Sequence, residues 1–482
     1  MKLHDYQINH IEQVLKAFET CNTVMLQMPT GTGKTHVFCE ISKRFWKIGR
    51  GRVLILAHRI ELITQIKERM KSFGLPNSIG LIISGSEYTE NNLIQIASVQ
   101  TLNLRKDKID FLKGISLIII DEAHHTPSNT YVEILTQYLQ KHTKLLGVTA
   151  TPLRLDGKGF EAIFQKLICS NSFRWFIDNK FLCPIKHFAS DLINMNDISL
   201  ATDNEGFDDY DAKELEKYYL SQKIMADVIE SYRRFGENKK MILFAVTIGH
   251  AEEIAKRFRN ENYSALVVSS HDGEKERKEK IEKFKNNEIQ ILVNVDIFSE
   301  GFDCPDIEVV QIAKPTKSLV KYLQMAGRVT RISKGKSYGI LLDNSCLWKD
   351  HGLVTSDRKW FLNGNVAEKR DFSNIVFSDG TYGEEAYRRR VSEHLNIKLV
   401  LISAYGLNSE VLFINKTLNQ LRAEYNIGKD TFFSFIETLE LNLHEHLQGD
   451  KRNLYNRKVS QQLNDLIDFE FCSNKSWKSL TL

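Results

Sequence analysis

Proline is scarce in this chain, with seven residues in 482. Cysteine is equally rare, and Cys21, Cys39, Cys169, Cys183, Cys304, Cys346 and Cys472 never fall in C-x-x-C spacing. That argues against a zinc ribbon or a disulfide framework and for buried thiols in a reducing compartment. No apolar run is long enough to span a bilayer. The N-terminus is polar and interrupted, unlike a signal peptide, so no membrane and a cytosolic location are expected. Low-complexity segments and internal repeats are also missing. Charge of one sign is not in excess either: 65 Lys and Arg face 61 Asp and Glu, for a net charge of +4. Such a balance neither demands nor excludes a nucleic-acid partner. What remains is ordinary soluble material, 42% hydrophobic and 26% charged, enough to bury the cores of about three domains.

The most informative stretch runs from Met28 to Thr35, MPTGTGKT. It follows the apolar run Val24 to Leu26 and precedes the apolar-rich Val37 to Ile41. Strand, glycine-rich turn and helix in that order make a phosphate cradle. Gly31 and Gly33 allow a tight turn that exposes backbone N–H groups, and the helix N-terminus adds partial positive charge. Lys34 is placed to reach β- and γ-phosphates, and Thr35 to put a hydroxyl on Mg²⁺. Thr30 and Thr32 complete the turn. Met28 stands where the general pattern has its first glycine.

Around this stretch the chain alternates. Residues 3–20 have helical spacing, with Ile8, Ile11, Val14, Leu15 and Phe18 on one side. Gln7, near its start, carries an amide that suits an adenine edge. Apolar strands are expected at Val53–Ala57, Leu81–Ile83, Ile94–Ala97, Leu117–Ile120 and Leu145–Val148, with a helix from Ile60 to Phe73. Continuous apolar runs alternating with helices predict a doubly wound parallel sheet, whose sites form at the carboxyl ends of strands. The polar clusters fall at such ends: His58 and Arg59, Ser98 to Thr101, Asp121 to His124, and Thr149 to Pro152.

The rhythm breaks over 171–235, read as a connector with a helix from Ala212 to about Phe235. It resumes at Met241–Phe244, and strands follow at Ala265–Val268, Ile289–Val293, Val309–Ala313 and Tyr338–Leu342. This is a second α/β domain without its own cradle. The expected organisation is an ATP-binding domain over 1–170, a connector over 171–235, a second domain over 236–347, and a mostly helical accessory domain over 348–482.

Asp121 and Glu122 are the natural partners of the cradle. One carboxylate can hold Mg²⁺ through water, a role given to Asp121, and the other can polarise the attacking water, a role given to Glu122. Phosphoryl transfer also needs positive charge on the developing transition state. Arg328 and Arg331, spaced i, i+3 in the second domain, share a face on a helix and present forks suited to phosphate oxygens.

In order and content these segments resemble a superfamily 2 helicase. The cradle corresponds to motif I, His58 and Arg59 to motif Ia, and Ser98 to Thr101 to motif Ib. Asp121 to His124 reads as a DEAH box, and Thr149 to Thr151 as motif III. Phe244 and Ala245 would be motif IV, Ser299 to Asp303 motif V, and Gln324 to Arg331 motif VI. The run Thr149 to Gly157 (TATPLRLDG) looks most like the XPB and type III restriction-subunit branch, in whose neighbourhood phage-encoded branch-migration helicases lie. The resemblance covers roughly residues 3–345. It implies two tandem RecA-like domains and ATP with Mg²⁺ as cofactors. Nucleotide contacts are implied at Gln7, Gly301, Asp303 and Gln324 besides the cradle. A DNA strand would lie across both domains near Arg59, Gln100, Thr101, Thr247 and Ser299. Met325 stands where many relatives carry an arginine. The activity implied is ATP-driven unwinding or remodelling of branched or forked duplex DNA. An RNA helicase and the motor subunit of a restriction or defence complex are the alternatives.

Overall fold

In the computed structural model the chain divides into two units, residues 1–380 and 381–482. The described residues are 3–377, apart from 49–50, 76–78, 86–91, 106–111, 113, 127, 155–158, 191–197, 203–207, 296, 298–301, 303 and 370–374, together with Gly383. All that follows concerns the first unit.

The first domain is built on seven parallel strands: β1 (Thr23–Gln27), β2 (Arg52–Ala57), β3 (Gly80–Ile82), β4 (Ile94–Ser98), β5 (Ile115–Asp121), β6 (Lys144–Thr149) and β7 (Lys166–Cys169). Their order is β3-β4-β2-β5-β6-β1-β7. β1 and β4 are buried along their whole length. Helices cover both faces, so both sides of each central strand must be apolar. The amphipathic helix Asp5–Thr20 turns Ile11, Val14, Ala17 and Phe18 inward against this sheet.

The second sheet repeats the plan with β8 (Ile185–Ala189), β11 (Met241–Ala245), β12 (Ala265–Val268), β13 (Ile291–Asn294), β14 (Val309–Ala313), β15 (Gly339–Asp343) and β18 (Ile375–Phe377). Their order is β12-β13-β11-β14-β15-β8-β18, again all parallel. A small hairpin, β9 (Leu200–Thr202) with β10 (Asp208–Tyr210), lies between β8 and the next helix.

Two segments differ from the sequence expectation. The stretch 171–235 is divided between the domains. Its helix Phe173–Asp178 packs on the first, with Phe176 edge-on to Tyr6 at 5.1 Å, and β8 joins the second sheet beside β15. The single helix expected from Ala212 is two, Ala212–Tyr219 and Gln222–Phe235, because Ser221 leaves the helical region with ψ 141°. Beyond 348, where helix was expected, the described residues include a hairpin of β16 (Asp357–Trp360) and β17 (Val366–Lys369), and then β18. Arg358 fixes the hairpin's root by donating to the carbonyls of His351, Leu353, Val354 and Ser356. The hairpin loop reaches back to the first domain, where Phe160 N–H donates to Leu362 O at 2.7 Å. The remainder of the expected helical domain, residues 384–482, lies outside the described residues.

Candidate active site

The turn after β1 takes the backbone form its glycines predict. Gly31 and Gly33 both have left-handed φ, +86° and +84°. A Cβ on Gly33 would sit 2.4 Å from Gln7 Nε2, so glycine is required there by conformation and by space. Thr32 is buried and donates its hydroxyl to Pro29 O at 2.7 Å. Tyr6 Oη donates to Thr32 O at 2.8 Å. Lys34 opens the helix Lys34–Lys47, so the positive end of that helix and the Lys34 side chain both stand at the cleft. Met28 is wholly buried, and its N–H donates to Thr149 O at 2.9 Å. It therefore extends the strand into the core where the general pattern would already turn.

β5 delivers Asp121 at its carboxyl end, and the chain then turns through Glu122 with φ 52° and ψ 54°. A non-glycine residue held left-handed costs about 1 kcal/mol or more and persists only where its surroundings fix it. Glu122 N–H donates to Asp121 Oδ1 at 3.0 Å. Burial and the neighbouring Glu122 charge hold the Asp121 carboxyl well above the usual carboxylate range, with the Lys34 ammonium pulling the other way. A buried carboxylate pair opposed by one ammonium is a place where a hard cation with phosphate oxygens restores the charge balance, so the residues fit Mg²⁺. Among the described residues no cluster of three or more acidic, His or Cys side chains could hold a metal without such help. Glu122 Oε2 is buried, without a hydrogen-bond partner, and 3.5 Å from His124 Nδ1.

The second domain closes the site. A cleft of about 730 Å³ is lined by Lys34, Thr35, Asp121 and Glu122 from one side and by Gln324, Arg328 and Arg331 from the other. Thr30 and Gly31 also line it, and a Cβ added to Gly327 would meet Thr30 Cβ at 3.1 Å. The two arginines do not lie on an α-helix as expected. Gly327–Thr330 is a 3₁₀ turn and Arg331 is extended. The i, i+3 spacing still stacks them, because 3₁₀ geometry eclipses such positions, and both Nη1 atoms donate to Phe302 O, at 2.9 and 3.0 Å. Gln324 is buried and its Nε2 lies 3.3 Å from His124 Nε2. With Gln324 donating there, His124 carries its proton on Nδ1, facing Thr149 Oγ1 at 3.1 Å. One side-chain chain thus links Thr149, His124 and Gln324.

Other expected residues are placed differently. Gln7 does not present an open amide. It is 2% exposed, its Oε1 accepts from His4 N–H at 3.0 Å, and its Nε2 donates to Thr32 O at 3.3 Å. Gln7 is the third residue of its helix, where a side chain reaches back to the cap, so it ties that helix to the cradle. Gly301, Asp303 and Ser299 lie outside the described residues. Arg59 Nη1 donates to Ile297 O at 2.6 Å, bridging the two domains. Gln100 is exposed and accepts from Ser98, whereas Thr101 is buried. Thr247 caps Ile248–Asn260 by accepting from His250 N–H, and donates its own hydrogen to Glu216 Oε1 at 2.6 Å. Sequence reasoning missed Phe181, which reaches the cleft from the stretch read as connector. No spacing marks it, because only the crossover between domains brings it there.

Comparison with known proteins gives the family. Residues 1–154 match the family described as type III restriction enzyme, res subunit, and residues 222–333 match the helicase conserved C-terminal domain. A 51.5 kDa protein of a Lactococcus phage is 33% identical over 358 residues, covering 73% of this chain and 72% of the relative. IRC3 of Saccharomyces cerevisiae, named as a candidate ATP-dependent helicase, is 30% identical over 358 residues, and the alignment spans only 51% of it. XPB2 of Sulfurisphaera tokodaii, named a DNA 3'-5' translocase, is 25% identical over 366 residues, covering 69% and 79%. A solved fragment of a candidate HsdR subunit of a type I restriction enzyme from Vibrio vulnificus shares the fold, with TM-score 0.56 at 23% identity over 79% of this chain and 70% of that one. The cleft, the ordered segments and these relatives together make the chain a member of the superfamily 2 helicases, in the branch of XPB and the type III restriction subunits, and so an ATP-hydrolysing nucleic-acid helicase.

Proposed function

We propose that this helicase is a DNA translocase that hydrolyses ATP with Mg²⁺ to unwind or remodel branched or forked duplexes. The observation that carries the reading is the cleft in which the cradle, the carboxylate pair and the two arginines face one another across the domains. ATP's phosphates would lie on the turn from Thr30 to Thr35, with Lys34 at the β- and γ-phosphates. Mg²⁺, held by Thr35 and Asp121, would supply charge neutralisation at the phosphates. Glu122 takes the proton of the attacking water as its oxygen bonds to the γ-phosphorus and the bond to the bridging oxygen of ADP breaks. The buried Oε2 of Glu122, 3.5 Å from His124 Nδ1, suits that task. Arg328 and Arg331 stabilise the leaving charge, so hydrolysis requires the domains to close.

The DNA assignment draws on the XPB-like signature from Thr149 to Gly157 and on the relative named a DNA translocase. A motor stepping along phosphates reads repeat geometry and not bases, which suits a chain of net charge +4. Arg59, Gln100, Thr101, Thr247 and Ser299 are the proposed contacts, with backbone N–H groups at helix starts beside them. A second reading, the motor subunit of a restriction complex, is favoured by the family matched over residues 1–154. A substrate panel tests both: single strand, plain DNA duplex, fork, four-way junction and RNA duplex, each assayed for ATPase stimulation and strand separation. Separation of forked or four-way DNA is expected. Stimulation by RNA alone would overturn the DNA assignment, and stimulation by plain duplex without strand separation would favour the restriction motor.

A further inference from the structure

Behind the two arginines stands a lysine that the reaction as described does not use. Lys336 follows a turn in which Lys336 N–H donates to Ser333 O and Gly335 has φ +84°. Its Nζ donates to Val329 O at 2.7 Å, to Arg331 O at 3.0 Å and, longer, to Pro305 O at 3.5 Å. An ammonium has three donors, and here each has a carbonyl. Two of the carbonyls belong to the turn bearing Arg328 and Arg331. The third lies three residues beyond Phe302, whose carbonyl both guanidiniums grip. From the other side, Cys183 N–H donates to Thr330 O at 2.7 Å. The turn is therefore fastened at Val329, Thr330 and Arg331 in succession.

We propose that Lys336 is a positioning residue for the arginine pair, its ammonium tying the backbone of the turn that bears them to the carbonyl of Pro305 so that both guanidiniums meet the nucleotide from one fixed frame. This rests on the reading of Arg328 and Arg331 given above. The consequence is a pH dependence. Burial lowers Lys336 to about 8, with Arg331 pushing the same way and Cys183, Glu308 and Asp306 opposing it. Above pH 8 the charge and one donor are lost, and the frame loosens. Stability moves the other way. The folded chain then binds fewer protons than the unfolded one, whose lysine titrates near 10.4, so this group makes the fold relatively more stable as pH rises from 8. A fall in rate without a fall in melting temperature separates positioning from mere structural support.

The test is ATP turnover by the full chain with single-stranded DNA, from pH 6.5 to 9.5. It compares the parent with Lys336→Met, Lys336→Arg, Arg328→Ala and Arg331→Ala, with melting temperatures recorded throughout. The parent kcat should fall above pH 8. Lys336→Met should lose about tenfold to a hundredfold in kcat at pH 7, the scale of a misplacement of about 1 Å, with KM for ATP within about twofold. Lys336→Arg should recover most of the rate and carry it past pH 9 without the fall. Should Lys336→Met not fold, the parent profile and Lys336→Arg decide. A parent rate flat through pH 9, or Lys336→Met within twofold of the parent while the arginine variants are slow, overturns the proposal alone. Parental rates in both arginine variants overturn the reading beneath it.

Discussion

The same slot in the two sheets is filled by β1 and by β8. Each stands sixth in its sheet, with β6 and β7 beside the first and β15 and β18 beside the second. β1 is buried at all five positions and runs into a glycine turn and a fourteen-residue helix. In β8 only His187 and Ala189 are buried, and no glycine follows it in the sequence before Gly206. One topology thus appears twice, once with a phosphate cradle and once without. The difference teaches that the fold supplies the frame, while on the proposed reading the eight residues after β1, Met28 to Thr35, supply the nucleotide site. The second domain contributes by reaching across, through Gln324, Arg328 and Arg331. A two-domain motor needs that asymmetry, because a site assembled from both halves reports whether they are closed.

The largest effects should come from breaking either half of the site. Arg328→Ala with Arg331→Ala removes the second domain's share and should lower kcat by about 10³ or more. Lys34→Ala removes the first domain's charge and should also fall by about 10³, the scale of losing a principal electrostatic contact. Both variants should keep the parent's circular dichroism, since all three side chains line the cleft. If the arginine variant alone hydrolyses ATP normally, the second sheet is only a scaffold and the comparison fails. Glu122→Gln should come next, with a loss of about 10²–10⁴ in turnover and ATP retained, measured by filter binding and single-turnover hydrolysis.

Much of this was legible because it was local. The strand at Leu117 to Ile120, the glycines at 31 and 33 and the carboxylates at 121 and 122 are each fixed by near neighbours in sequence. What was not legible depends on pairing at long range. Residues Ile185 to Ala189 are too short and too interrupted to announce a strand, and only the edge of β15 makes them one. Gln7 looked like an open amide because sequence shows its chemistry but not that Thr32 and His4 already hold both ends of it. Arg358 and its four carbonyls pinned a hairpin in a stretch whose apolar spacing downstream suggested helices.

A sharper question is how much of the cradle is geometry rather than charge. Gly33→Ala leaves every charged group in place. It puts a Cβ at φ +84° and 2.4 Å from Gln7 Nε2. The left-handed backbone alone costs about 1–2 kcal/mol, and Gln7 must also give way, releasing Thr32 O. ATP affinity should drop by about 10–100-fold. β8 has no glycine after it before Gly206 and does not line the cleft, so Ser190→Ala should leave ATP affinity unchanged. Titration of a fluorescent ATP analogue measures both, and equal affinities in the two variants would show that the backbone of the turn does not set binding.

The mildest probe is acid. His36, beside the cradle, and His250, behind β11, are both held down to about 4, chiefly by burial, with Arg69 and His4 adding at His36. In each case the folded imidazole stays neutral while the unfolded chain takes up a proton near 6.5. Their contribution is present above that pH and is lost as pH falls toward 4. His250 is wholly buried, stacked at a tilt on Tyr219 at 5.1 Å, and its Nδ1 accepts from Val246 N–H. At pH 5 its neutrality should cost about 2 kcal/mol relative to pH 7. His36 is partly exposed, so water screens it and its cost is smaller. The two differ in what they face. His36 lines the nucleotide cleft, where ATP's negative charge favours the imidazolium and lifts its pKa. His250 meets no ligand. Urea unfolding at pH 7 and 5, with and without a non-hydrolysable ATP analogue, separates them. His250→Asn should remove about 2 kcal/mol of the acid loss in both conditions. His36→Asn should remove its smaller share only when nucleotide is absent. If nucleotide leaves the His36→Asn difference untouched, the phosphates do not lie beside that helix start, and the cradle reading itself is broken.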